Sequence, residues 1–456
     1  MAATQSPTTT RPRLGGRWIE DWCPEDLDFW NLQGRAIAGR NLLFSVLSEH
    51  IGFSIWSLWS VIVLFMGPEY GVDAAGKFVL TALPTLVGSI LRVPYTFAVA
   101  IFGGRNWTVI SAAMLLIPTI LIALALEPGV SYSTLLLIAM AAGVGGGNFA
   151  SSMTNINYYY YPTRLKGWAL GVNAGGGNLG VPVVQLVGLL VLATLGATHP
   201  RALVAIYIPL ILLSALGAWL MMNNLATARN ANGAIREVAT HRETWTMSLL
   251  YIGTFGSFIG FSFAFGQVLL VQFPDQFSTP VKAAALTWLG PLLGSLIRPV
   301  GGGLADRFRG SVVTFWNFIA MAVGAGIVYA ASQAKSLPLY LVGFVLLFVF
   351  SGVGNGSIYK MIPAIFHAKG QREVGAGERL EVAAPRSTRR AGALIGLAGA
   401  IGAFGGVLVN LAFRQSFLTL KNGDGAVLAF IAFYALCCLV TWAVFLRRHP
   451  GRLEGV

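Results

Sequence analysis

Two pentapeptides in this chain place a guanidinium where a guanidinium is costly. Gly88-Ser89-Ile90-Leu91-Arg92 and Gly294-Ser295-Leu296-Ile297-Arg298 share one pattern, and each lies inside a long apolar run. An arginine at the centre of a bilayer costs roughly 2.5–3.5 kcal/mol on insertion scales, so it needs a partner or a function. In each copy the glycine and the arginine are four residues apart and share a helix face. With no Cβ on the glycine, another backbone or a small ligand can approach beside the guanidinium. The ordinary account of such an arginine is snorkelling towards a helix end, or pairing with a buried acid. The carboxylates argue against pairing. Of 18 Asp and Glu, only Glu49 lies well inside an apolar run, and Asp306 sits at the end of another. Two cations with at most one acid leave a positive hole for an anion, and the planar donor fork of Arg suits a planar oxyanion.

The elements that position these arginines are membrane spans. Of 456 residues 55% are hydrophobic and 11% charged, with a mean hydropathy of +0.68, against about 25% charged in soluble domains. A net charge of +13 would suit nucleic acid in a soluble protein. In a membrane chain the placement of charge matters more than its sum, and no nucleic-acid partner is expected. Cys23, Cys437 and Cys438 show neither metal-ligand spacing nor a disulfide framework, so no metal or cofactor is expected. No apolar core with a cleavage site opens the chain, so no signal peptide is expected. Trp18, Trp22 and Trp30, mixed with acids, read as an interfacial lead-in.

Twelve apolar runs are long enough to span, at about 20 residues each. They cover 40–66, 76–101, 106–126, 132–160, 167–195, 202–224, 246–272, 283–305, 311–332, 338–366, 391–415 and 426–446. Of the 31 Lys and Arg, 22 fall on one side of this alternation, 6 on the other, and 3 (Arg92, Arg298 and Lys360) within spans. The positive-inside rule then puts both termini in the cytoplasm. The expected organisation is a cytoplasmic segment 1–35, a six-helix bundle 36–225, a cytoplasmic linker 226–245, a second bundle 246–447 containing a cytoplasmic loop 368–390, and a tail 448–456.

The repeat extends beyond the arginines. Gly143 to Gly147 in span four is echoed by Gly352 to Gly356 in span ten. Gly171, Gly177 and Gly180 in span five have the spacing of Gly396, Gly402 and Gly405 in span eleven. Two parallel six-helix halves related by an axis along the membrane normal account for all three echoes. The run at Gly143 lacks the Gly-Lys-Ser/Thr ending of a phosphate-binding loop and lies mid-span, which leaves close helix packing as its reading. The further expectation is that spans five and eleven slide on spans two and eight. Asn148, Asn155, Asn173, Asn178 and Gln185 either donate to an anion or join helices. Tyr251 and Phe255 share a face of span seven, and Phe53 can oppose them across a cavity.

Gly302-Gly303-Leu304-Ala305-Asp306-Arg307-Phe308-Arg309-Gly310 resembles the loop motif of the major facilitator superfamily, with Asp306 and Arg307 at a cytoplasmic gate. Its counterpart, Phe102-Gly103-Gly104-Arg105-Asn106, lacks the acid. Asn148 to Met153, Gly167 to Leu179 and Gly396 to Leu408 resemble the signatures of the nitrate/nitrite porter family, with Gly175 and Gly399 among their glycines. The polar stretch between spans ten and eleven is longer than that family leads one to expect. The resemblance implies a nitrate and nitrite site made by Arg92 and Arg298, hydrogen-bonding partners Asn178 and Tyr251, and walls of Phe53, Phe149 and Phe255. The expectation is an all-α integral membrane carrier of the major facilitator fold, a monomer in the lipid of the inner membrane and not an enzyme. It exchanges nitrate for nitrite as its halves rock. Nitrate–proton symport through Glu49, His50 or Lys360 is the alternative, and an anion sensor is a remote one.

Overall fold

The computed structural model describes residues 17–160, 165–228, 233–448, 453, 455 and 456. Among these, twelve helices are long and apolar enough to cross a bilayer. The first six are α1 (Leu27–Phe65), α2 (Ala74–Phe102), α3 (Gly104–Ala125), α4 (Tyr132–Tyr160), α5 (Lys166–Leu195) and α6 (Pro200–Met221). The second six are α7 (Arg242–Gln272), α8 (Pro280–Phe308), α9 (Gly310–Gln333), α10 (Leu337–Gly375), α11 (Leu380–Leu420) and α12 (Asp424–Leu446). Helix is the form a span must take, because lipid offers backbone groups no other partner. Side-chain caps start some of them: Asp73 accepts from Gly76 N at 2.7 Å and Ser131 from Thr134 N at 3.2 Å. Leu124 on α3, Leu213 on α6, Val323 on α9 and Leu439 on α12 are each more than half exposed. Such an apolar belt is a lipid-facing surface.

The two arginine helices are set by glycine crossings. Gly88 on α2 meets Gly146 on α4 so closely that a Cβ on Gly146 would lie 2.7 Å from Gly88 Cα. Gly294 on α8 meets α10 in the same way, where a Cβ on Gly352 would strike the Gly294 carbonyl. The glycines of α5 and α11 pack elsewhere than expected. Gly177 and Gly180 press on Glu49 and His50 of α1, and Gly402 and Gly405 press on Tyr251 and Gly256 of α7. These four glycines therefore close α5 on α1 and α11 on α7, and not on spans two and eight. Other glycines of α11 do face α2: Gly396 at Thr96, Gly399 at Arg92 and Gly406 at Thr85. The turns after α2 and α8 correspond as well. Gly103 takes φ +90° in the first, and Arg309 takes φ +69° in the second, where its Cβ is disfavoured.

The two halves meet on one face and part on the other. Phe78 of α2 is stacked with Phe413 and Phe417 of α11, at 6.1 and 5.6 Å between centroids. Thr81 Oγ1 donates to Asn410 Oδ1 at 2.7 Å, and Gln185 Nε2 of α5 donates to the Ser262 carbonyl of α7 at 2.8 Å. On the opposite, basic face, residues 18–19 pair in parallel with Asn224–Leu225, and Trp22 Nε1 donates to the Tyr159 carbonyl at 3.2 Å. Residues 1–16 of the expected N-terminal segment, and most of the tail 448–456, lie outside the described residues.

The expected loop 368–390 is a correction. α10 continues to Gly375 and α11 begins at Leu380, so the polar stretch is mostly helix. Polarity there marks the end of the apolar run and not the end of the helix. Ion pairs hold the two extensions together: Arg390 Nη1 reaches Glu373 at 2.6 Å, and Arg386 reaches Glu373 and Glu378 at 3.5 and 3.3 Å. The linker 226–245 likewise contains a short helix, Ala234–Ala239. Its Glu237 takes Arg389 and Arg390 at 2.7 Å each. Partial burial raises the Glu237 carboxyl, but these two guanidiniums outweigh it and hold the group below its ordinary value.

The glycine crossings generate a stability prediction. Gly146→Ala and Gly352→Ala should each cost about 1–3 kcal/mol through overpacking against backbone. The measurement is the thermal unfolding midpoint of the purified protein. Gly326→Ala on α9, where a Cβ would meet nothing within 4 Å, should leave that midpoint unchanged.

Candidate functional site

A cavity of about 1960 Å³ runs from the basic face to the middle of the bundle, and Arg92, Phe149, Arg298, Tyr359 and Gly399 line its inner end. Arg92 is 1% exposed and Arg298 8%. Among the described residues neither forms an ion pair with a carboxylate. Other groups hold them. Arg92 Nε donates to the Gly146 carbonyl at 3.1 Å, and its Nη1 donates to the Gly399 carbonyl at 2.7 Å. Gly146 belongs to α4 and Gly399 to α11, so one guanidinium ties the two halves together. Arg298 Nη2 donates to Tyr251 Oη at 3.0 Å.

Aromatic rings supply the rest of the cage. The Arg92 Cζ lies 4.7 Å from the Phe149 centroid, 5.0 Å from Phe255 and 5.2 Å from Trp56. The Arg298 Cζ lies 5.0 Å from Tyr359 and 6.0 Å from Phe255. Each desolvated cation–π contact is worth about 2 kcal/mol, enough together to offset the insertion cost of an arginine. Phe255 serves both guanidiniums. Its position follows from a π-helical turn at Ile252–Gly256, which stacks Tyr251 on Phe255 at 5.1 Å with rings 7° apart. Such bulges re-aim side chains at functional sites.

Three buried polar atoms at this point have no hydrogen-bond partner: Arg92 Nη2, Arg298 Nη1 and Tyr359 Oη. An unmade hydrogen bond on a buried charged group is costly, so the arrangement is built for something with acceptors. Uncharged at the rings and cationic at two forks, it favours a small flat anion with several oxygens.

The other expected residues are distributed as follows. Phe53 stands behind Phe149, 6.0 Å away edge to face, and is fully buried. Asn178 is buried on α5 with an unpartnered Oδ1, and it does not line the cavity. Asn173, Asn155 and Gln185 join helices: Asn173 Nδ2 donates to Glu49 at 2.6 Å, Asn155 to Ser45 at 3.4 Å, and Gln185 to α7. Asn148 has both side-chain polar atoms unpartnered beside Gly52. Glu49 is fully buried, with Oε1 unpartnered, and both arginines act on it electrostatically. His50 Nδ1 lies 3.1 Å from the Gly176 carbonyl. Lys360 pairs with Asp306 at 2.7 Å near the cavity mouth, and Arg307 lies over the Phe308 ring at 5.1 Å.

Gly171, Gly175, Gly396 and Gly399 line the cavity, whereas Gly177, Gly180, Gly402 and Gly405 are packed against helices. Two residues escape the sequence reading. Tyr359 precedes Lys360 in a run whose helical register is unremarkable, and Trp56 lies one turn after Phe53 among many aromatics. Neither carries a signal in type or spacing.

A twelve-helix bundle in two halves, sealed on one face and hollow towards the other, is the fold of a secondary carrier. Residues 42–409 match the family described as Major Facilitator Superfamily. The chain is 38% identical to the nitrate/nitrite transporter NarU of Salmonella typhimurium, over 95% of this chain and 97% of that protein. It is 32% identical to the probable nitrate/nitrite antiporter NarK2 of Thermus thermophilus, again over 95% and 97%. Among solved structures it superposes on a bacterial homologue of the human lysosomal transporter Spinster, inward-facing and unoccupied. That match has a TM-score of 0.63 and 16% identity, and covers 89% of this chain and 96% of the other. A D-xylose–proton symporter gives 0.60 and 16%, over 90% and 97%. At such identity the structures share the fold alone. The chain belongs to the nitrate/nitrite porter family of the major facilitator superfamily.

The arginine cage predicts an uneven cost of truncation. Tyr251→Phe removes the acceptor of the Arg298 bond and should weaken anion binding about tenfold, as a hydrogen bond to a charged group is worth about 1.5–3 kcal/mol. Asn178→Ala, outside the cavity, should weaken it less. Calorimetric titration of the purified variants with nitrate separates the two.

Proposed function

We propose that this chain exchanges nitrate for nitrite across the cytoplasmic membrane by alternating access, with both termini in the cytoplasm. The observation that carries this reading is the pair of unpartnered buried donors, Arg92 Nη2 and Arg298 Nη1, at the closed end of the cavity. A monovalent anion between them neutralises one of the two charges, relieves their repulsion, and lets the halves close around it. The empty carrier lacks that neutralisation, and its Arg92 is held across the halves by the Gly399 carbonyl. Unloaded interconversion is therefore disfavoured, and each crossing needs an anion. One-for-one exchange of monovalent anions moves no net charge, whereas anion entry alone works against about 2.3 kcal/mol per 100 mV of membrane potential. The family relationship supplies nitrate and nitrite as the anions.

The second reading, nitrate–proton symport, is favoured by one observation: a carboxyl, Glu49, fully buried with an unpartnered oxygen in the field of both arginines. Counterflow in proteoliposomes separates the two. Exchange predicts nitrate uptake only into vesicles loaded with nitrite or nitrate, and it predicts that Glu49→Gln keeps that counterflow. Robust uptake into anion-free vesicles driven by a pH gradient, and lost in Glu49→Gln, would establish symport instead. Under either reading Arg92→Lys and Arg298→Lys should lower apparent affinity about ten- to a hundredfold, because lysine keeps the charge and loses the fork. Wild-type affinity in both variants would remove the arginine site from the mechanism.

A further inference from the structure

The glycine signature of α11 holds two members, Gly396 and Gly399, that are neither tight packing contacts nor turns, and of these Gly399 stands beside an arginine. A Cβ built on Gly402 or Gly405 collides with α7. A Cβ built on Gly399 would instead stand 3.7 Å from Arg92 Nη1, 3.7 Å from Tyr359 Oη and 4.0 Å from Phe149 Cε1. Those are ordinary van der Waals distances, so the fold does not require glycine here. The φ of Gly399 does not require it either, since it is not among the positive-φ residues. What the missing methyl leaves open is the space between Arg92 Nη1, Phe149 and Tyr359 Oη, on a guanidinium whose other terminal nitrogen, Nη2, has no partner.

The repeat sharpens the point. The offset that relates Gly177 to Gly402 and Gly180 to Gly405 relates Gly399 to Ala174. At the equivalent place in the first half the chain therefore carries a methyl, and in the second it does not. The halves differ in bonding too: Arg92 of the first half donates to Gly399 of the second, and no equivalent bond joins Arg298 to Ala174 among the described residues.

We infer that Gly399 is the size gate of the anion slot, and that its missing Cβ makes room for the third oxygen of a trigonal oxyanion. This rests on the reading of the cavity as a nitrate and nitrite site, and adds the residue that tells the two apart. Nitrate is planar with three oxygens, and nitrite is bent with two. With one guanidinium on either side, two oxygens suffice to engage both forks. The third must project to a side, and at Gly399 that side is open. Alanine at this position keeps the carbonyl that holds Arg92 and removes only the space.

The test is Gly399→Ala in proteoliposome counterflow, reading the half-saturating concentrations of nitrate and of nitrite separately. A methyl in a fitted pocket changes discrimination about tenfold or more, so the ratio of nitrate to nitrite half-saturation should rise by that factor, chiefly through nitrate. Equal losses for both anions would mark Gly399 as a helix-motion glycine and overturn the inference, as would an unchanged ratio. Should the variant lose transport altogether, calorimetric titration of the purified protein with each anion reads the same ratio. A variant that no longer elutes as the wild type would contradict the open space at Gly399 and count equally against it. Absence of nitrate–nitrite counterflow in the wild type would bring down the site reading and this inference together. Normal wild-type counterflow with an unchanged variant ratio would bring down the inference alone.

Discussion

Two guanidiniums buried without carboxylates are the constraint on which the rest of this molecule depends. They sit at the inner end of the cavity, and among the described residues no carboxylate pairs with them. Their stabilisation comes from weaker, spread-out sources: four aromatic rings, two backbone carbonyls and a tyrosine hydroxyl. That arrangement tolerates the cations without neutralising them. A carboxylate in the same place would satisfy the arginines for good and leave nothing for a substrate to do. A cage of rings and carbonyls holds the charge in position and leaves the donors free.

The surrounding fold serves this cage through the absence of side chains. Gly146 and Gly352 bring α4 and α10 onto the arginine helices, while Gly177, Gly180, Gly402 and Gly405 bring α5 and α11 onto α1 and α7. Each contact is backbone against a neighbour, which fixes helix separation tightly and leaves a smooth surface along the helix. The two halves then touch through Phe78, Phe413 and Phe417 on one face, and stay apart on the basic face. Ion pairs stiffen the long extensions of α10 and α11 at the open end. The proposed alternating access would part the aromatic seal and close the basic mouth as a rigid-body change that leaves the glycine crossings within each half intact.

Much of this was legible in the sequence because lipid imposes strict rules. Span number and halves follow from apolar run length, charge asymmetry and repeated glycines, all of which are local properties. The arginines stood out because a charge in an apolar run has few innocent explanations. Helix ends were less legible: in α10 and α11 the helix outlasts its apolar part, since helix continues wherever backbone hydrogen bonding and ion pairs allow. Partner choice between helices was the least legible. Glycine spacing on α5 and α11 showed that something approaches closely, but which helix approaches is set by the three-dimensional arrangement: α1 for α5, and both α7 and α2 for α11. Tyr359 and Trp56 belong to the cage for the same reason. Nothing in a tyrosine before a lysine, or a tryptophan among phenylalanines, reports the arginine it packs against.

The central claim is that the unpartnered donors of Arg92 and Arg298 receive one anion together. A crystal structure of the protein grown with nitrate tests it most directly. The account predicts density for a single planar anion that takes hydrogen bonds from Arg92 Nη2 and Arg298 Nη1, over the Phe255 ring and beside Gly399. An ordered nitrate bound elsewhere in the cavity, with the two guanidiniums unchanged, would contradict it.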